Sequence, residues 1–129
     1  MKAGIAQNYD IKTLSRLIGS TYAVASTLGL GAVPTGMKRY VTMVRANNIA
    51  GNNLTLFICS AAGSNTTITS TLAIAGQKYA AQLEAGETDE FPKSSPSPER
   101  PLFSIAAGSY INAVSYPGNV RLFLQYYDQ

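Results

Sequence analysis

The 129-residue chain has no histidine, no tryptophan and a single cysteine. Each absence removes a class of chemistry. Without histidine, acid–base work at neutral pH falls to tuned carboxylates alone. A triad-like nucleophile lacks its base. Zinc and iron sites lack a Cys/His ligand set. One cysteine allows no internal disulfide. Cys59 sits within Leu56-Phe57-Ile58-Cys59-Ser60, which reads as a small buried hydrophobe rather than a nucleophile. No G-x-G-x-x-G or G-x-x-x-x-G-K-[ST] phosphate cradle occurs. Glu84, Glu87, Asp89 and Glu90 match no EF-hand spacing and read as a hydrated acidic loop.

Charge is scarce too. Charged residues make up 13% of the chain and apolar residues 46%, against an average near 25% charged. So low a charge argues against a disordered chain. Its surface must be largely Ser, Thr, Asn, Gln, Gly and Ala, which suits packing against copies of itself or a partner. The length favours one domain with a real core. Long apolar runs are missing as well. Residues 17–37 carry no charge, and Ala23-Val24-Ala25 resembles a signal-peptidase site. However, Gly19, Ser20 and Thr21 interrupt the stretch before it, and Gly29, Gly31, Pro34 and Gly36 interrupt the stretch after it. A spanning helix needs about 20 mostly apolar residues, and a secretory core about 7–15. The expectation is a soluble, non-secreted protein with no membrane partner. Asn53-Leu54-Thr55 and Asn65-Thr66-Thr67 are then chance matches to a glycosylation sequon.

The charges present are polarised. Residues 1–45 hold six cations against Asp10, net +5, whereas residues 84–100 hold five carboxylates against Lys93 and Arg100, net −3. A basic end and an acidic end can attract each other between subunits. Solvated loop charges that do nothing specific are the plainer reading. For nucleic acid, a basic stripe with stacking aromatics would be the footprint. Lys38, Arg39, Tyr40 and Arg45 come closest and are too few. Sugar binding through Tyr and Asn lacks a tryptophan platform. No cofactor is expected.

What the chain does have is strand and turn grammar. Val33-Pro34-Thr35-Gly36 is a turn, with Pro presetting φ at the second position and Gly closing it at positive φ. Residues 38–47 come next as a strand, with Tyr40, Thr42, Val44 and Ala46 on one face and Val41, Met43 and Arg45 on the other. Both faces are partly apolar, as in a strand covered on both sides. After a loop at 47–53, the strand 54–60 puts Leu54, Leu56 and Ile58 on one face. Residues 62–65 turn again. Residues 66–74 alternate, with Ile68, Leu72 and Ile74 inward. Tyr79, Ala81 and Leu83 then face in. Short strands fill 102–106 and 109–115. Pro117-Gly118-Asn119 turns into the cleanest strand, 120–127, where Val120, Leu122, Leu124 and Tyr126 face in. Phe123 and Tyr127 lie on its outer face, where a partner, the N-terminal arm or a second sheet would cover them. Turns every ~8–12 residues mark a sandwich or barrel. The fold class is all-β: an antiparallel β-sandwich or jelly-roll-like barrel of about 7–9 short strands, spanning residues 20–129.

Two segments stand apart. Residues 1–19 form an N-terminal arm or a short helix. Asp10 would cap the helix, Ile11, Leu14, Leu17 and Ile18 would line one side, and Gly19 would stop it. So short a helix is marginal alone, so the segment either closes one end of the domain or orders on a neighbour, with the arm preferred. A weaker strand is expected over 21–30. Residues 86–101 are the one long connection and hold four of the six prolines. No central strand runs there, and a connection this long is usually functional or mobile. Pro98-Glu99-Arg100-Pro101 fits P-x-x-P weakly; a stiff surface crossover is the plainer reading.

With these residues laid out, a resemblance emerges. Residues 33–58, from Val33-Pro34-Thr35-Gly36 through the strand ending in Leu54-Thr55-Leu56-Phe57-Ile58, resemble the small β-sandwich decoration (cement) proteins of tailed-bacteriophage heads. The ending over 119–128 is similar in style. The likeness covers about a quarter of the chain, and its motifs are structural. It implies a non-enzymatic protein of the virion, on the capsid surface and assembled in the host cytoplasm. It also implies a homotrimer or a ring about a local symmetry axis, clamping neighbouring major capsid proteins. The contact residues expected on this basis are Ile5, Ile11, Leu14, Leu17 and Ile18 of the arm, Lys38 and Arg39, Glu87, Asp89 and Glu90 of the loop, and Phe123 with Tyr127. The competing expectation is a receptor- or glycan-binding tip of a tail fibre.

Overall fold

The structure, a computed structural model, describes residues 9–18, 28, 30–61 and 76–129. The expected strand 66–74, the turn 62–65, Gly19, Ile5 and most of 21–30 lie outside the described residues. Two antiparallel sheets face each other, so the all-β sandwich is what the chain forms. The described strands are β1 (Lys12–Ile18), β2 (Arg39–Asn48), β3 (Leu54–Ala61), β4 (Gln77–Leu83), β5 (Thr88–Phe91), β6 (Phe103–Ile105), β7 (Tyr110–Tyr116) and β8 (Val120–Asp128). One sheet runs β1-β8-β2-β5, with β6 also on β2; the other runs β4-β3-β7.

Alternation puts the expected residues inside. Val120, Leu122 and Leu124 of β8 and Leu54, Leu56 and Ile58 of β3 are all 3% exposed or less and meet in one core. Burying each such side chain stabilises the fold by roughly 1.5–3 kcal/mol. Two strands of the smaller sheet, the central β3 and β7 beside it, are buried on both faces. Phe57 and Cys59 on the other face of β3 are buried, as is Val114 opposite Phe57 on β7. Cys59 is therefore the small buried hydrophobe expected.

β2 departs from simple alternation. Val41 pairs with Tyr126 and Met43 with Gln125, so Thr42 is an extra residue on β2. Such a bulge shifts the face count by one. Val41, Val44 and Ala46 all reach the core, whereas strict alternation splits them between faces. The Thr42 hydroxyl donates to the Gln125 carbonyl across the irregularity, at 3.3 Å. The turn before β2 also sits one residue later than expected. Pro34 takes its first position, since the Met37 amide donates to the Pro34 carbonyl at 3.1 Å. Gly36 does supply the left-handed residue, with φ 81°.

The helix expected from Ile11 is a strand. β1 pairs antiparallel with β8 over its whole length, from Lys12 opposite Tyr126 to Ile18 opposite Val120. Leu14 and Ile18 are buried, but Ile11 and Leu17 are 40% and 53% exposed. A spacing of four residues satisfies a helix face, and being even it also keeps two residues on one side of a strand. The free side of β8 decided between them.

The long connection contains β5, which lies beside β2 from Val44–Phe91 to Asn47–Thr88. It is an edge strand and ends at Pro92, consistent with proline's missing donor. β6 returns alongside the start of β2. The prolines thus bridge two short strands on the same side of β2.

Candidate interaction surface

Three polar locks hold the larger sheet in place. Arg39 is 5% exposed. Its Nε and Nη2 donate to the two carboxylate oxygens of Asp128 at 2.8 and 2.9 Å, and Nη1 donates to the Gly31 carbonyl at 3.1 Å. Its guanidinium lies 5.3 Å from the Tyr126 ring centre. Arg39 was expected on a contact surface; the structure places it inside, because the bulge at Thr42 turns Arg39 and Val41 inward together. A two-pronged pair of this kind is strong and geometrically specific. Lys38 beside it is exposed.

The second lock is Asn48, at the far end of β2 and 1% exposed. Its Nδ2 donates to the carbonyls of Asn52, Leu83 and Glu84 at 2.9–3.1 Å, and its Oδ1 accepts from the Ala50 amide at 2.8 Å. Backbone bonds to Gly86 and Glu87 complete the junction. One side chain thereby ties the β2–β3 loop to the β4–β5 turn. Gly118 packs into the same place: a Cβ there would run into Ala50. Sequence reasoning missed Asn48, since an Asn before a Gly/Asn-rich loop looks like any turn residue.

The third lock covers one half of the outer face of β8. The Tyr127 ring stacks on Tyr40 at 5.1 Å between centres and meets Tyr9 at 4.7 Å. Its hydroxyl donates to the Pro98 carbonyl at 2.6 Å. Burial, with Tyr9, Tyr40 and Glu99 adding less, raises the Tyr127 pKa above the ordinary tyrosine value. Tyr127, expected as a contact residue, is 4% exposed. The chain covers it with residues from both segments that the sequence set apart.

The other half of that face is open. Here the strands align Ser15, Phe123, Arg45 and Glu90 in one cross-strand row, and Leu17, Arg121, Asn47 and Thr88 in the next. The Arg45 guanidinium lies 4.7 Å from the centre of the half-buried Phe123 ring and 3.9 Å from Glu90. Of the expected contact residues, Leu17, Phe123 and Glu90 are brought together on this patch. Leu14 and Ile18 belong to the core.

Glu87 and Asp89 lie at the acidic side of the sandwich, where β4 approaches β5. Asp89 accepts from Lys93 at 2.7 Å and from the Tyr79 hydroxyl at 3.0 Å. The Lys93 bond, opposed by partial burial and helped by Tyr79, holds the Asp89 carboxyl below its usual range. Burial first, then the Asp89 bond, pushes the Tyr79 phenol up. Glu87 Oε1 accepts from the Glu84 amide at 2.8 Å. A groove of about 570 Å³ opens beside them, lined by Asn53, Leu54, Thr55, Gln82, Leu83, Glu84 and Glu87. No cluster able to hold a metal ion occurs among the described residues, and no helix among them is long and apolar enough to cross a membrane.

No protein-family model matches the chain, and neither a curated protein nor a solved structure shows significant similarity to it.

Proposed function

We propose that this chain is a non-enzymatic structural protein of a tailed-phage virion, a decoration protein that binds and stabilises the assembled head lattice together with copies of itself. The observation that carries the reading is the divided outer face of the larger sheet. One half is sealed by the chain's own tyrosines. The other half presents Leu17, Phe123 under Arg45, and Arg121 to solvent. Exposed aromatic and arginine side chains are what protein interfaces favour. The capsid comes from the resemblance of residues 33–58 and 119–128. Stabilisation arises by mass action: a protein that binds only the assembled lattice shifts the assembly equilibrium, and symmetric repetition makes weak contacts sufficient. Co-sedimentation with assembled heads and with dissociated capsid protein tests this. Binding to heads alone, lost in Phe123→Ala, is the expected result; no binding to heads removes the reading.

The tail-fibre reading draws on a different feature, the groove beside Glu84 and Glu87. Its amides, carboxylates and hydroxyl suit a polyhydroxylated ligand. Binding on a glycan array that is abolished by Gln82→Ala, with no affinity for heads, would favour it.

A further inference from the structure

The two long sides of the larger sheet differ in charge. Among the described residues β1 pairs only with β8, and β5 only with β2, so each leaves one side of its backbone unpaired. The β1 side carries Lys12 and Arg16 against Asp10, with Arg121 next to it on β8; the segment 84–93 on the β5 side carries four carboxylates against Lys93. Lys12 is taken by Asp10 and Asp89 by Lys93. That leaves Arg16 and Arg121 on one side, and Glu84 and Glu87 on the other, without an ion pair among the described residues. Exposed apolar side chains mark the same sides. Ile11 and Leu17 stand at 40% and 53% exposure along β1, and Phe91 at 44% on β5.

An unpaired strand is a template for another strand. Charge then selects the partner. Two β1 edges would bring two basic sides together, and two β5 edges two acidic ones, so symmetric pairing is disfavoured at both. Only β1 against β5 joins sides of opposite net charge. We infer that copies of this chain associate head to tail, the β1 edge of one beside the β5 edge of the next, so that the larger sheet continues from subunit to subunit. A contact between unlike surfaces closes into a ring when its rotation allows and otherwise extends as a filament. This deepens the proposed function by naming the surfaces that copies share, but it is tested on the isolated protein, so its failure leaves head binding to be judged by co-sedimentation.

The experiment is sedimentation velocity from micromolar to millimolar concentration on four chains: wild type, Arg16→Glu, Glu84→Lys, and the two combined. Both positions are exposed, and circular dichroism checks that each variant folds. The wild type should self-associate, less so at high salt. Each single reversal removes two charge units of the contrast between the edges and should weaken association by about fivefold or more. The double reversal removes four and should weaken association at least as much as either single one. A wild type that stays monomeric throughout overturns the inference. So do single reversals without effect, or a double variant that associates better than either single one.

Discussion

The two ends of β8 carry the same alternation and have different fates. At the Tyr126–Asp128 end, Tyr40, Tyr9 and the Pro98 carbonyl close over the outer face, and Asp128 itself is gripped by Arg39. At the Val120–Phe123 end, the inner residues are as deeply buried, yet the outer face keeps only Arg45 over Phe123. Alternation decides which face a side chain takes. What covers that face is decided by segments arriving from elsewhere: Tyr9 from before β1, and Pro98 from a connection whose sequence announces only stiffness. The closed end is thereby committed to stability and the open end is available for binding.

The sharpest way to break this contrast is Asp128→Ala. It leaves a guanidinium buried against Tyr126 without its carboxylate, and stranding one partner of a buried pair costs about 3–5 kcal/mol. Chemical denaturation should show a large loss of stability with little change in m-value. Asn48→Ala acts at the opposite end of β2. It frees three carbonyls and the Ala50 amide from their partner, and a loss of about 2–3 kcal/mol is expected. Hydrogen exchange should locate the loosening in the 50–53 and 84–87 backbone, with the tyrosine end unaffected. Were exchange to rise equally at Tyr127, the two ends would be one cooperative unit, and the contrast between them would fail.

Smaller effects separate the two outer faces themselves. Tyr127→Phe keeps the stack and removes the bond to Pro98, for about 1 kcal/mol of stability. Head binding should be unchanged. Phe123→Ala should do the reverse, costing less than about 1 kcal/mol of stability because the ring is only half-buried, while head binding falls sharply. A Phe123 variant that is strongly destabilised, or that binds as wild type, would place the open end with the closed one.

Much of this was legible in the residues. The inner faces of β3 and β8, the turn at Gly36, the exclusion of a central strand from 86–101 and the buried Cys59 come from period-two alternation and from proline and glycine geometry. The errors share one physical origin, non-local pairing. An interval of four residues suited both a helix and a strand over 11–18, and only the free edge of β8 distinguishes them. The bulge at Thr42 has no signature in the sequence, yet it moves Arg39 from the surface to the interior. Phe123 was recognised as an outer aromatic, whereas its partner Arg45 comes from a strand nearly eighty positions earlier and becomes a neighbour only through the register of β2 on β8.

The smallest predicted effect concerns the acidic side, where burial and titration meet. Tyr79 is half-buried beside Asp89, and its phenol is raised above the ordinary tyrosine value, which is near 10. In the unfolded chain the phenol ionises at about that ordinary pH; in the folded chain it keeps its proton to higher pH. Its contribution to stability is therefore complete below about pH 10 and lost as pH rises from there toward the folded value. Tyr79→Phe should cost about 0.5 kcal/mol at neutral pH, because Asp89 stays accessible to water. Above about pH 10, by contrast, the variant's stability should fall less steeply than that of the wild type, since the remaining tyrosines titrate in both. Asp89 behaves oppositely. Its lowered pKa supports the fold above the usual carboxylate value of about 4, and that support is lost as pH falls through the folded value, so Asp89→Asn should flatten the acid limb. Parallel alkaline slopes in wild type and Tyr79→Phe would mean that the phenol is as free in the fold as in water. The β4–β5 side would then be as open as the Phe123 end of β8.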